Sequence, residues 1–187
     1  MTVLVPWHKS APWESRRKET FEALDGRPDF EYVETFAHED YDILMRRYWD
    51  KPGELVVCEH DVVPTQSALA LLQNCSESGV CAQAYELFRG EHYAHRYVLY
   101  QGTLLPHIAE GDEWADLIGF GLTRWSEEWR KAHPWPRDLR KAKGRIVDLD
   151  SRWSFYAYAH GWGPFHVHWP AVKHNTVKFA DGWKKMA

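Results

Sequence analysis

The sequence predicts an α/β fold built on a mostly parallel sheet flanked by helices, and three observations carry that expectation. Short apolar runs alternate with helix-patterned segments over residues 1–90, the signature of strand–helix–strand units. The run Leu55-Val56-Val57-Cys58 is apolar throughout, as a buried strand is. The chain has 187 residues, 44% of them hydrophobic and 27% charged, enough apolar mass for one core and a single domain over 1–187.

The elements follow in order. Val3-Leu4-Val5 is a short apolar strand running into Pro6. Ser15 to Leu24 has Phe21 and Leu24 as apolar positions among polar ones, and Gly26-Arg27-Pro28 stops that helix. Phe30 to Thr35 alternates as a second strand. Tyr41 to Trp49 is helical in pattern, with Ile43, Leu44 and Tyr48 on one side. After the Pro52-Gly53 turn comes the strand 55–58, then an abrupt polar triplet, Glu59-His60-Asp61, closed by Val62-Val63-Pro64. Thr65 caps a helix to Asn74, and Val80 to Leu87 is a further strand. His92 to Gln101 is aromatic-rich and either extended or loop. Ile118 to Leu122 is a glycine-punctuated apolar segment, and Thr123 to Lys131 reads as a helix carrying Trp125 and Trp129. His133 to Lys143, with two prolines and a run of basic residues, reads as an exposed loop. Asp150 to His160 is helical, capped by Asp150 or Ser151 and ended by Gly161; Phe165 to Trp169 alternates and is extended.

Composition excludes several classes. No apolar run approaches the ~20 residues a membrane helix needs, and no charged-then-apolar leader opens the chain. Eleven Trp and 11 His are conspicuous; tryptophan buries a large surface, so most are expected in the core or in pocket walls. A net charge of −4 argues against a wholly basic nucleic-acid coat while leaving room for a local basic groove. Three cysteines without a Cys-x-x-Cys pair argue against a disulfide framework or zinc ribbon and for a reducing, cytoplasmic setting, with Cys58 a small buried residue. Dinucleotide, P-loop and nucleophile-elbow signatures are missing.

Four constellations can carry chemistry. Glu59, His60 and Asp61 stand where a buried strand ends, and ligands of α/β sheets bind at the carboxyl ends of strands. Two carboxylates there either hold a hard divalent cation or cap a polar turn. His166 and His168 are two apart on an extended segment and face the same way; with His174 they supply the ligand count of a catalytic zinc site, or are simply surface histidines. Asp148 and Asp150 at a helix start are either caps or carboxylates able to take a proton from a hydroxyl. Arg137, Arg140, Lys141, Lys143 and Arg145 beside Trp135 either grip phosphates or form a solvated loop.

Together these features resemble the glycosyltransferases of the GT-A fold, a Rossmann-like single-domain α/β architecture. The resemblance runs from Val3 to about Asn175 as spaced motifs: Leu4-Val5-Pro6-Trp7; the acidic triplet after the strand in Val56-Val57-Cys58-Glu59-His60-Asp61; Gly119-Phe120-Gly121-Leu122-Thr123-Arg124; Asp148-Leu149-Asp150-Ser151-Arg152 through His160-Gly161; and the late His168 or His174. It implies a nucleotide-sugar half over about 1–64 and an acceptor and metal-completing half over about 65–187. Pro6, Trp7 and His8 would line the nucleotide pocket, Glu34 would hydrogen-bond the base, and Glu59 and His60 would contact the donor. Asp61, with Glu59 and His174 or His168, would bind Mn²⁺ or Mg²⁺. Asp150, or Asp148 in its place, would be the general base of an inverting transfer to an acceptor hydroxyl, of a saccharide or a modified nucleic-acid base. Trp125, Trp153 and Trp162 would be stacking walls or core. The competing expectations are a zinc hydrolase built on His166, His168 and His174, and a nucleic-acid module built on Trp135 and the basic loop.

Overall fold

The computed structural model describes residues 1–8, 14–35, 38–85, 96–100, 103–107, 111–139 and 149–174. Within them the strands are β1 (Thr2–His8), β2 (Phe30–Thr35), β3 (Leu55–Cys58), β4 (Val62–Val63), β5 (Val80–Tyr85), β6 (Arg96–Tyr100), β7 (Thr103–His107), β8 (Glu113–Ala115), β9 (Leu122–Trp125) and β10 (Phe165–His174). The helices are α1 (Glu14–Leu24), α2 (His38–Trp49), α3 (Gln66–Asn74), α4 (Glu127–Ala132) and α5 (Leu149–Ala159). The fold is a mixed α/β sheet flanked by helices, in the order β2-β1-β3-β9-β5-β10-β4, with β8 on β10; β6 and β7 form a separate antiparallel pair. β1, β2 and β3 are mutually parallel, as are β5 and β10. β9 lies antiparallel between β3 and β5, so β3 and β5 point the same way.

Alternation along the strands splits the core between the two faces of the sheet. Val3, Val5, Val56, Cys58 and Cys81 pack on one face with Leu24 of α1 and Leu69 and Leu72 of α3. Leu4, Val57, Val80 and Ala82 pack on the other with Leu44, Met45 and Trp49 of α2 and Trp153 and Ala157 of α5. The apolar run 55–58 is buried at every residue because it serves both faces at once.

Most of the tryptophan goes into the second face. The Trp49 ring centroid lies 4.8 Å from Trp135, 5.7 Å from Trp125 and 6.2 Å from Trp153. At ~25 cal/mol per Å², a tryptophan burying about 200 Å² contributes on the order of 5 kcal/mol before its entropy cost. Trp125 and Trp153 are fully buried, so they are core and not stacking walls; Trp162 packs partly buried against the same cluster.

Four expectations are corrected. The helix expected over 123–131 begins at Glu127: Thr123, Arg124 and Trp125 are instead the antiparallel strand β9, and Ser126 caps the short helix by accepting the Trp129 N–H. The segment after His133 is not wholly exposed. Trp135, Pro136 and Leu139 are buried, and Trp135 donates its indole N–H to Asp42 Oδ1 at 2.8 Å. Ile43 points outward on α2 while Met45 and Trp49 take the core positions. Cys75 and Cys81, expected to be unpaired, are joined by a disulfide, because the turn after α3 folds back against the start of β5. Cys58 is buried and free. At the end of α5, Gly161 adopts φ +68° and the Trp162 N–H reaches back to the Ala157 carbonyl at 2.9 Å, a glycine-terminated helix end.

Candidate functional site

The strand order has a switch point. From β1 the chain passes through α1 to β2 on one side, and α2 then carries it back to β3 on the other. The order reverses at β1, and ligands of doubly wound sheets bind outside the strand ends at such a switch point. Pro6, Trp7 and His8 end β1, and Glu59, His60 and Asp61 leave β3. The β1–β2 register sets Trp7 beside Glu34 and His8 beside Thr35. Pro6 is buried. For Trp7, His8 and Glu34 the backbone places the residues at this edge, and their side chains fall outside the described residues.

The triplet is held by backbone bonds. The Glu59 N–H donates to the Gly121 carbonyl at 2.8 Å, and the Val62 N–H closes the turn onto the Glu59 carbonyl at 3.0 Å. Thr20 Oγ1 of α1 donates to the Val62 carbonyl at 2.9 Å, anchoring β4 beneath the turn. Glu59 and His60 are half-buried, and Asp61 is only 8% exposed. Because β10 pairs antiparallel with β4, His174 stands opposite Val62, next in the chain to Asp61. The His174 side chain is outside the described residues.

Asp150 approaches from the other side. It sits in the first turn of α5, where its Oδ1 accepts the Ser151 N–H at 2.6 Å. A shallow groove there is lined by Leu117, Ile118, Gly119, Ser151, Ser154 and Phe155. Gly119 and Gly121 make room for Tyr85. A Cβ on Gly119 would overlap Tyr85 Oη and lie 3.2 Å from Asp150 Oδ2, and one on Gly121 would lie 2.6 Å from the Tyr85 ring. Tyr41 joins the two sides. Its hydroxyl is buried without a hydrogen-bond partner. Burial holds the phenol well above its ordinary range, and the charges of Glu59 and Asp150 push it further the same way. Burial likewise raises the Cys58 thiol, assisted by Glu59 and Asp61, so this cysteine stays a neutral thiol at the end of β3. Tyr41 and Tyr85 escaped the sequence analysis because a lone tyrosine at a helix start or strand end carries no motif.

The other candidates are distributed differently. Asp148, Arg140, Lys141, Lys143 and Arg145 lie outside the described residues. Arg137 is exposed, and its carbonyl accepts from Arg46 Nη2 at 3.0 Å. His166 and His168 lie together, ring centroids 4.6 Å apart. They gather with Cys75 and Cys81 rather than with the acidic triplet, and these four are the only group of three or more potential metal ligands among the described residues. His168 and His174 are six residues apart on the same strand.

No protein-family profile and no curated protein matches the chain. The chain is similar in structure to the crystal structure of A197 from STIV, with a TM-score of 0.58 over 95% of this chain and 87% of that one, at 16% sequence identity. At that identity the likeness shows a shared fold. No helix among the described residues is long and apolar enough to cross a membrane.

Proposed function

We propose that the chain is a metal-dependent glycosyltransferase, moving a sugar from a nucleoside-diphosphate sugar to an acceptor hydroxyl with inversion. One observation carries the proposal: the triplet Glu59-His60-Asp61 leaves β3 at the switch point of the sheet while Asp150 approaches the same region, Tyr41 being close enough to both sides to feel Glu59 and Asp150. A donor lies across the strand ends, between the edge made by Pro6, Trp7, His8 and Glu34 and the triplet. An acceptor lies along the groove beside Asp150, where Phe155 is 40% exposed and offers a face for a sugar ring.

The donor set suits a hard divalent cation, Mn²⁺ or Mg²⁺, since Asp61 is a nearly buried carboxylate and Glu59 stands two residues before it. Asp61 and Glu59, with His174 set beside them by register, would hold the ion, which when bound neutralises charge on the leaving diphosphate. Asp150 takes the proton from the acceptor hydroxyl as that oxygen attacks the anomeric carbon from the face opposite the diphosphate. Asp148, one residue before α5, is the second candidate base. Gly119 keeps the approach to Asp150 clear. Neither competing expectation gains comparable support. His166 and His168 are grouped with two cysteines, and the Trp135 ring that would stack on a base is buried in the core.

The test is a thermal-shift panel of nucleotide sugars with and without Mn²⁺, followed by hydrolysis of whichever donor stabilises the chain. Asp61→Asn should lower Mn²⁺-dependent hydrolysis on the order of a hundredfold or more while the variant remains folded. Full activity in that variant would remove the assignment.

A further inference from the structure

One sulfur each from Cys75 and Cys81 and one ring nitrogen each from His166 and His168 all lie within 4.8 Å of one another, and all four residues are buried. We propose that, with the Cys75–Cys81 pair reduced, these four side chains hold a structural zinc ion. The site is separate from the acidic triplet at the end of β3 and does not rest on the glycosyltransferase proposal.

The geometry comes from three elements. Cys75 follows α3, Cys81 is the second residue of β5, and His166 is the second residue of β10, paired with Cys81 in the parallel register. His168, two residues on, projects to the same side, and Cys75 Sγ lies 3.9 Å from His166 Nδ1. Four ligand atoms around one tetrahedral zinc stand roughly 3.3–3.8 Å apart, so once the disulfide is reduced the two sulfurs, bonded to each other in this structure, turn apart about their side-chain torsions while the histidine nitrogens draw in to close on an ion.

The surroundings prepare the ligands. Asp112 Oδ2 lies 3.3 Å from His168 Nδ1, and a carboxylate on one ring nitrogen sets the other as a lone-pair donor. That other atom, His168 Nε2, is buried and has no hydrogen-bond partner. The buried guanidinium of Arg124 donates through Nη1 to the Cys75 carbonyl at 3.2 Å and lies 4.0 Å from Cys81 Sγ, a position that favours thiolate. Two thiolates, two neutral imidazoles and a dication sum to zero charge, which suits a buried site.

The chemistry balances. A phosphine reductant gives the disulfide two electrons and takes the oxygen of one water to become its oxide, and the two protons of that water complete the two thiols. Zinc then displaces those two protons and is not itself oxidised or reduced. Four protein ligands leave no open position for water or substrate, so the ion fastens the α3–β5 turn to β10 and performs no hydrolysis. The site lies toward the amino-terminal ends of β5 and β10, away from the end of β3 that carries Glu59.

The test uses the full chain reduced with a phosphine, loaded with zinc alone or cobalt alone, and dialysed. The expected result is one zinc per chain, Cys75 and Cys81 shielded from alkylation until a chelator is added, and a thiolate-to-cobalt charge-transfer band with tetrahedral d–d absorption. Cys75→Ser and His168→Ala should each lose the metal, whereas Cys75→His and the control Cys58→Ser should keep it. Absence of zinc and of the charge-transfer band in the reduced wild-type chain overturns the proposal whether or not any variant folds. Loss of metal in Cys58→Ser also overturns it.

Discussion

Gly119→Ala probes the packing that keeps Asp150 accessible. The added Cβ would overlap Tyr85 Oη and lie 3.2 Å from both Tyr85 Cζ and Asp150 Oδ2. The ring has little room to yield, because Tyr85 is 9% exposed and Gly121 already sits against its other ring atoms. Inserting one carbon into such a site costs about 1–3 kcal/mol. For a chain of this length that lowers the unfolding midpoint by roughly 2–4 °C per kcal/mol, or about 2–12 °C in all. The cost has an identifiable source, which a second substitution removes. Tyr85→Phe deletes the overlapping oxygen and leaves the nearest approach at 3.2 Å, a tight contact rather than a collision. Urea unfolding of both single variants and the double variant should therefore show a favourable coupling of about 1 kcal/mol or more. Simple additivity, or a Gly119→Ala variant as stable as wild type, would refute this account of the two glycines.

Two further outcomes follow from the core and the first face. Trp153→Ala should cost about 3–5 kcal/mol, since the ring is fully buried with centroids 5.4 Å from Phe120, 5.6 Å from Phe165 and 5.8 Å from Trp125; a loss under about 1 kcal/mol in urea unfolding would contradict the packing. Arg27 donates Nε and Nη2 to Asp29 at 3.0 Å each, and that paired bond, chiefly, holds the carboxyl below its ordinary value of 3.8. A lowered folded pKa means stability that is present above pH 3.8 and lost as pH falls through the folded value. The stability gap between wild type and Asp29→Asn should thus narrow on acidification below about pH 4, and a gap that stays unchanged well below that pH would refute the pairing.

Local pattern made much of the fold legible. The strands over 30–35 and 55–58 and the helix capped by Thr65 lie where alternation, apolar continuity and a capping hydroxyl put them. The strand β9 was not legible. Thr123-Arg124-Trp125 precedes a genuine helix, and only its insertion between β3 and β5 makes those residues extended and buried on both faces. The same limit applies to the sites. Glu59, His60 and Asp61 stood out because an apolar strand ends abruptly in charge, whereas Tyr41 and Tyr85 have no such contrast. The cysteine–histidine cluster was missed because Cys75 and His166 are 91 residues apart, and the cysteines lack the close spacing that marks a zinc motif.

By itself the sequence determined the alternation of strands and helices, the fully apolar strand that serves two faces, and the acidic turn at its end. These depend on side-chain periodicity and capping, which act over a few residues. Tertiary structure decided which ends meet. Strand order is set by pairing between distant segments and leaves no local mark. It was the reversal at β1 that set the acidic turn at the switch point of the sheet, and the β5–β10 register that separated His166 and His168 from the acidic triplet and brought them to two sulfurs.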